Sequence, residues 1–274
     1  MIVDSVMIDY PSWLCADNGA AYRAVRCGNA LWSLTVTPTD GSGQRTDAHH
    51  VRGASDAPTL DVIDPAVLIG PTAMVASLCT AGTVARWRNP DLWDALVTAI
   101  MRQVIRAGQA RKLYRAFSHA YGESVSTPLG QALLIPTPET VLMVPDAEFA
   151  RLGMAFKTRP LRAAAEACLE FGAKWAELAP AVLVTEVQKV RRVGPWTAGA
   201  AVADLTNDYT VYPFADLAVR TWAQRLTPQR CWPNTEPEFA RAWARLAGNQ
   251  LSDWTLLTLA WGARHASTTG TVAL

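Results

Sequence analysis

Asp216 stands immediately before Leu217-Ala218-Val219, the start of an amphipathic run. A carboxylate there can cap the helix and stays ionised beside its positive end. Held still and partly desolvated, it can also stabilise positive charge developing on a bound group, or orient a water. Capping alone is the plainer role, and the two are compatible. Upstream, Arg191-Arg192-Val193-Gly194 reads as a tight turn followed by Pro195-Trp196-Thr197-Ala198. The amides of such a turn, with the positive end of the next helix, can hold a phosphate. Trp196, Trp222, Trp254 and Trp261 offer flat aromatic faces that either fill a core or stack on an electron-poor ring.

These residues need elements to position them. Pro195 suits a first helical position, because its fixed φ fits and its missing N–H would be unpaired there anyway. An alanine-rich helix follows to about Leu205, then the turn formers Asn207 and Asp208. Tyr209 to Tyr212 is β-branched or aromatic, which predicts an extended piece ahead of Pro213. From about Pro90 the chain reads as helical, with Leu92, Trp93, Leu96, Ile100 and Val104 at helical spacing. Further helices are expected at about 107–121, from Thr137, from Pro145, over 157–170 and from Pro180. Others are expected over about 237–246 and 252–264. The polar tail from Ser267 is expected to fray.

Residues 1 to about 80 differ. Tyr22 to Thr37 holds two β-prone runs around Cys27-Gly28-Asn29, which predicts a hairpin. Leu60 to Ile63 reads as another strand, and Thr39 to Ala57 as a polar loop. The fold class is therefore α+β: mainly α, with a small N-terminal antiparallel sheet over 1–85 and a helical core over 86–274.

The chain has 274 residues, half of them hydrophobic, with 25 Lys+Arg against 24 Asp+Glu. That is a globular composition, not a disordered one. No apolar run is long enough to suggest a membrane span, and no signal peptide is read. A cytoplasmic, nucleoid-associated monomer is the expectation. Five scattered cysteines and four histidines form no ligand pattern, so neither metal nor other cofactor is expected. Arg86, Arg88, Arg102, Arg106, Arg111 and Lys112 cluster in sequence, as do Lys189, Arg191 and Arg192. Either group could form a nucleic-acid-binding face or an ordinary solvated helix face.

Together the turn, the helix opening and the aspartate resemble the helix–hairpin–helix DNA glycosylases of base excision repair. That family's hairpin reads roughly Leu-Pro-Gly-Val-Gly, with an essential aspartate about twenty positions on. Here Val190-Arg191-Arg192-Val193-Gly194 occupies the hairpin, and Asp216 follows Trp196 by 20 positions. Leu96 to Val104 resembles an early helix end of the family, and Leu152-Gly153-Met154 with Lys157 the stretch linking its helical halves. The likeness is greatest to bacterial 3-methyladenine DNA glycosylase II, a branch carrying an N-terminal sheet.

The resemblance implies two helical subdomains around the hairpin (187–205), an aspartate loop (209–216), and double-stranded DNA with a damaged base as partner. It implies Asp216 as the catalytic group and Trp196, Trp222 and Trp261 around the base. DNA contacts would come from Arg191, Arg192, Val193, Gly194 and Thr197, with Gln103 and Val104 in the loop that fills the gap left by a flipped base. Trp196 stands where strand-cutting members carry a lysine, which implies base release alone. Two departures stand out: Arg192 replaces a hairpin glycine, and Ala200 replaces a pocket aromatic. They keep two alternatives in view, a non-catalytic lesion-binding protein and a glycosylase for a bulky adduct.

Overall fold

The computed structural model describes residues 1–268; the tail expected to fray continues to residue 274, beyond the described residues. Strands β1 (Ile2–Val3), β2 (Ser5–Val6), β3 (Leu14–Cys15), β4 (Ala21–Cys27), β5 (Ala30–Pro38) and β6 (Gln44–Arg52) come first. Five of them form an antiparallel sheet in the order β1-β6-β5-β4-β3. The hairpin expected around Gly28 is β4–β5, closed by Cys27 opposite Ala30, with Gly28 at φ 57°. Alternate residues Val25, Leu34 and Val36 turn to one face with Tyr10 and Trp13.

The polar segment expected to be a loop contains β6. Its side chains look unlike a strand, but its ladder to β5 supplies the bonds, and the buried Thr46 hydroxyl donates to the Thr35 carbonyl at 2.9 Å. Charged and histidine residues occupy its outer face, which is why composition hid it.

Next come β7 (Leu60–Ile63), helix α1 (Thr72–Cys79), not foreseen, and β8 (Val84–Trp87). β8 pairs antiparallel with β7 and parallel with β2. The expected boundary near residue 85 falls inside this strand. Its pleat sends neighbours to opposite sides: the Trp87 indole reaches Thr46 in the sheet, while Arg86 reaches Asp204 among the helices.

The helices are α2 (Leu92–Arg102) and α3 (Ala107–Tyr121), then, after a small hairpin β9 (Ser124–Thr127) and β10 (Gly130–Leu133), α4 (Pro138–Met143), α5 (Asp146–Arg151), α6 (Thr158–Trp175), α7 (Pro180–Val187), α8 (Pro195–Thr206), α9 (Leu217–Leu226), α10 (Glu236–Ala247) and α11 (Leu251–Thr268). The start signals act as expected: Asp91 accepts from the Trp93 amide, Thr137 from Thr140 and Asp216 from Val219. One apolar cluster joins α2, α3, α6, α7 and α8. A second joins α1, α9, α10 and α11, and Tyr212 packs against both.

The basic residues of 86–112 form neither a single basic face nor a solvated helix face. Arg86 is 2% exposed and bridges Asp9 and Asp204; Arg88 pairs with Asp61, and Arg102 lies beside Asp204. Buried cations need such partners, because desolvation costs several kcal/mol per ion. Arg106, Arg111 and Lys112 remain exposed. Among the described residues no helix is long and apolar enough to cross a membrane.

Candidate active site

The hairpin is fixed from beneath. Val187, Val190 and Val193 are 0%, 8% and 4% exposed and anchor the turn in the helical core. Arg191 and Arg192 are thereby left outside. Val193 thus offers the surface its backbone only, and its N–H is already taken by Val190 O at 3.0 Å. Among the described residues, the amides of Arg192 and Gly194 meet no acceptor. Arg192 sits at φ 67°, in the left-handed region, which costs a side-chain-bearing residue on the order of 1 kcal/mol. So the turn keeps the backbone shape that a glycine would take, with an arginine in its place. Gly194 has an ordinary φ of −87°, and a Cβ there would meet nothing within 4 Å. Nothing among the described residues demands that glycine.

Beside the hairpin, α2 stops at Arg102, and Val104 is fully exposed at φ 64°. The helical spacing read through Val104 therefore ends before it, and this residue is no part of a buried helix face. A β-branched side chain in the left-handed region is a true outlier, and such strain persists only where the surroundings over-determine it. They do so here. Lys157 is 2% exposed, and its Nζ donates to Ile100 O at 2.6 Å and Gln103 O at 2.8 Å. Burial pushes its amine down to about 8. The Gln103 side chain donates to the Thr197 hydroxyl at 2.8 Å and to Arg192 O at 3.2 Å. Thr197 is 3% exposed, so it serves as an internal strut, not the surface contact that its position implied. Hairpin and Val104 loop are thus tied into one edge.

Asp216 lies behind that edge, half-buried. Two tight turns deliver it: Phe214 N–H donates to Tyr212 O at 2.7 Å, and Asp216 N–H to Pro213 O at 2.9 Å. The expected extended piece at Tyr209–Tyr212 is instead turn and bend. Pro213 and the Asp216 cap, not β-propensity, set that path. Its Oδ1 accepts from Val219 N–H at 2.9 Å; Oδ2 accepts from the Tyr212 hydroxyl at 2.6 Å and from the Trp196 indole N–H at 3.4 Å. Burial first, and the Asp216 charge second, push the Tyr212 phenol well above its ordinary value, so it holds its proton.

The loop also lies hard against α8, where a Cβ on Gly199 would come within 2.5 Å of Val211 O and 3.2 Å of Pro213 Cδ. Neither Gly199 nor the Tyr212 hydroxyl was picked out from sequence. A lone glycine inside an alanine-rich helix was the signal for the first; the second had none, since Tyr212 and Asp216 share no regular element.

Of the pocket tryptophans, Trp196 touches Asp216. Trp222 is 6% exposed, lies edge-on to Trp261 with centroids 6.3 Å apart and presses on Gly262. It belongs to the buried face of α9 with Val219, Ala223 and Leu226. Trp261 is half-buried and stacks on His265 at 3.8 Å. Trp254 is wholly buried against Trp243, and Ala200 lies in the core at 2% exposure. A cleft of about 790 Å³ lined by Arg159, Arg162, Glu166 and Arg191 flanks the hairpin and not Asp216.

The chain, with its two-cluster helical core, hairpin, capping aspartate and N-terminal antiparallel sheet, shares its overall fold with solved DNA glycosylases. No family model and no curated protein matches the chain by sequence. Solved structures match it over nearly its whole length. MBOgg1 in complex with a low-affinity DNA ligand superposes with a TM-score of 0.71 at 14% identity, covering 96% of this chain and 94% of that one. The Archaeoglobus fulgidus 3-methyladenine DNA glycosylase gives 0.66 at 16%, covering 93% and 91%. The Clostridium acetobutylicum 8-oxoguanine glycosylase/lyase, bound to duplex DNA with cytosine opposite 8-oxoguanine, gives 0.71 at 15%, covering 95% and 90%.

Proposed function

We propose that this protein is a monofunctional DNA glycosylase that flips a damaged, alkylated purine out of the duplex and hydrolyses its N-glycosidic bond. The observation that carries this reading is the Asp216 carboxylate. It is half-buried, held on both oxygens, and in contact with the indole two residues past the hairpin. As the C1′–N bond breaks, its electron pair leaves with the base and positive charge builds on the sugar. A fixed carboxylate stabilises that charge, and water then bonds to C1′ and gives a proton to solvent. An alkylated purine carries positive charge already and leaves neutral, so the reaction needs no acid beside the base.

In this reading Arg191, Arg192 and the amides of Arg192 and Gly194 hold the phosphate backbone, and Val104 enters the stack as the base leaves it. Base release without strand cutting follows from the amines. Trp196 offers none, and the Lys157 Nζ is buried on two carbonyls. The solved structures of this fold include a 3-methyladenine enzyme and an 8-oxoguanine glycosylase/lyase, so the lesion rests on pocket chemistry and not on fold. Double-stranded DNA is the partner.

Asp216→Asn keeps the helix cap and removes the charge. Single-turnover release of base from methylated duplex DNA should fall about 10²–10³-fold, and strands should stay intact until treated with alkali. Equal release by both proteins would end this reading; binding of an abasic-site duplex without any release would leave a lesion-binding protein.

A further inference from the structure

We infer that Tyr212 is the positioning residue that makes Asp216 an effective charge, by fixing the plane of its carboxylate against the reacting sugar. The inference rests on the glycosylase reading and adds a residue to it.

An N-cap carboxylate normally accepts one bond, at one oxygen, from an amide N–H, and its other oxygen is free to swing and to gather water. Here Oδ2 takes a 2.6 Å bond from the Tyr212 hydroxyl, while the Trp196 indole stands off at 3.4 Å. Charge-assisted O–H···O⁻ bonds of this length are roughly twice as strong as neutral ones. With Val219 N–H on Oδ1 at 2.9 Å, rotation about the Cβ–Cγ bond is blocked from both sides.

Tyr212 is itself held on several sides. Its ring lies 5.3 Å from that of Tyr209, packs on both apolar clusters, and its carbonyl closes the turn to Phe214. Since the phenol keeps its proton, it donates to the carboxylate. The charge on Asp216 is thereby aimed before DNA arrives, and no reorganisation is left for the moment of bond breaking. Pro213 and the Gly199 contact set the distance between this loop and α8; Tyr212 sets the angle.

The test uses Tyr212→Phe, which removes one oxygen from a ring that stays in place. The probes are two duplexes, one with a neutral tetrahydrofuran abasic site and one with a cationic pyrrolidine in the sugar position. Wild type should prefer the cation, as transition-state mimics are preferred. Tyr212→Phe should cut that preference about tenfold while neutral-site affinity stays within about twofold, and base release should fall about 10–100-fold. Loss of affinity for both duplexes alike would mark Tyr212 as merely structural. If Asp216→Asn abolishes the cation preference and Tyr212→Phe leaves it intact, this inference fails and the glycosylase reading stands. If neither variant alters it, the role of Asp216 fails first.

Discussion

The two ends of α8 are opposites. At its C-terminal end Asp204 and Asn207 meet Arg86, whose guanidinium donates to Asp204 at 2.6 Å, Asn207 at 2.5 Å and Asp9 at 3.1 Å. Asn207 also donates to Asp61 and to the Arg86 carbonyl, tying helix to sheet. At the N-terminal end, Arg191 and Arg192 form no ion pair among the described residues, Arg192 is strained, and two amides meet no acceptor among those residues. One end is a mount whose charges are paired; the other is an edge with its charges left over. The difference shows that pairing, not the number of basic residues in a stretch, locates the surface able to receive an anion. Of the larger group upstream, Arg86, Arg88 and Arg102 are spent on carboxylates of the protein itself.

The largest effect expected from disturbing this contrast is Arg86→Ala. It leaves Asp9 and Asp204 buried beside a vanished partner, and urea unfolding should register a loss of about 3–5 kcal/mol. If the loss were below 1 kcal/mol, the mount would be no mount.

Gly199→Ala acts midway along the helix. Its Cβ must push back Val211 and Pro213, costing about 1–3 kcal/mol and moving the Asp216 loop. Base release should drop further than stability alone explains, while affinity for an abasic-site duplex is largely kept.

Lys157 tests the tie beneath Val104. Its folded value of about 8 lies below the unfolded one of 10.5, so between these pH values the unfolded chain binds more protons. Wild-type stability should therefore rise through that window relative to Lys157→Met, by about 1–2 kcal/mol. A pH-independent difference between the two would contradict the buried, charged amine.

Smallest is the pair Arg192→Gly and Arg192→Ala. The glycine relieves the left-handed strain and should stabilise by about 1 kcal/mol, whereas alanine keeps the strain. Both lose the charge, so both should weaken DNA binding and reduce its salt slope by about one unit. Unequal salt slopes would mean that the backbone, not the guanidinium, carries the contact.

Much of the candidate site was legible in the chain. Asp216 as a cap, Pro195 as a helix start and the Arg191–Gly194 turn are local matters, decided by residues within four positions of each other. The same holds for α2 to α11, whose apolar spacing faces one or the other apolar cluster. β6 escaped because its stabilisation is a ladder to β5, not its own composition. Thr197 and Trp222 escaped because one residue type serves surface and interior alike, and only packing chooses between them. The left-handed Val104 was invisible too, since no local preference favours valine there and the conformation is imposed by Lys157 and Gln103 from other elements.

By itself, then, the order of residues determined the helices, their caps and the spacing that brings a hairpin and an aspartate into one motif, because these depend on backbone preference and short-range hydrogen bonds. Only the tertiary structure decided which arginines are neutralised, which tryptophan faces the carboxylate, and that a tyrosine hydroxyl holds it. Each of those is a contact between segments far apart in the chain, and its energy exists only once burial has removed the competing water.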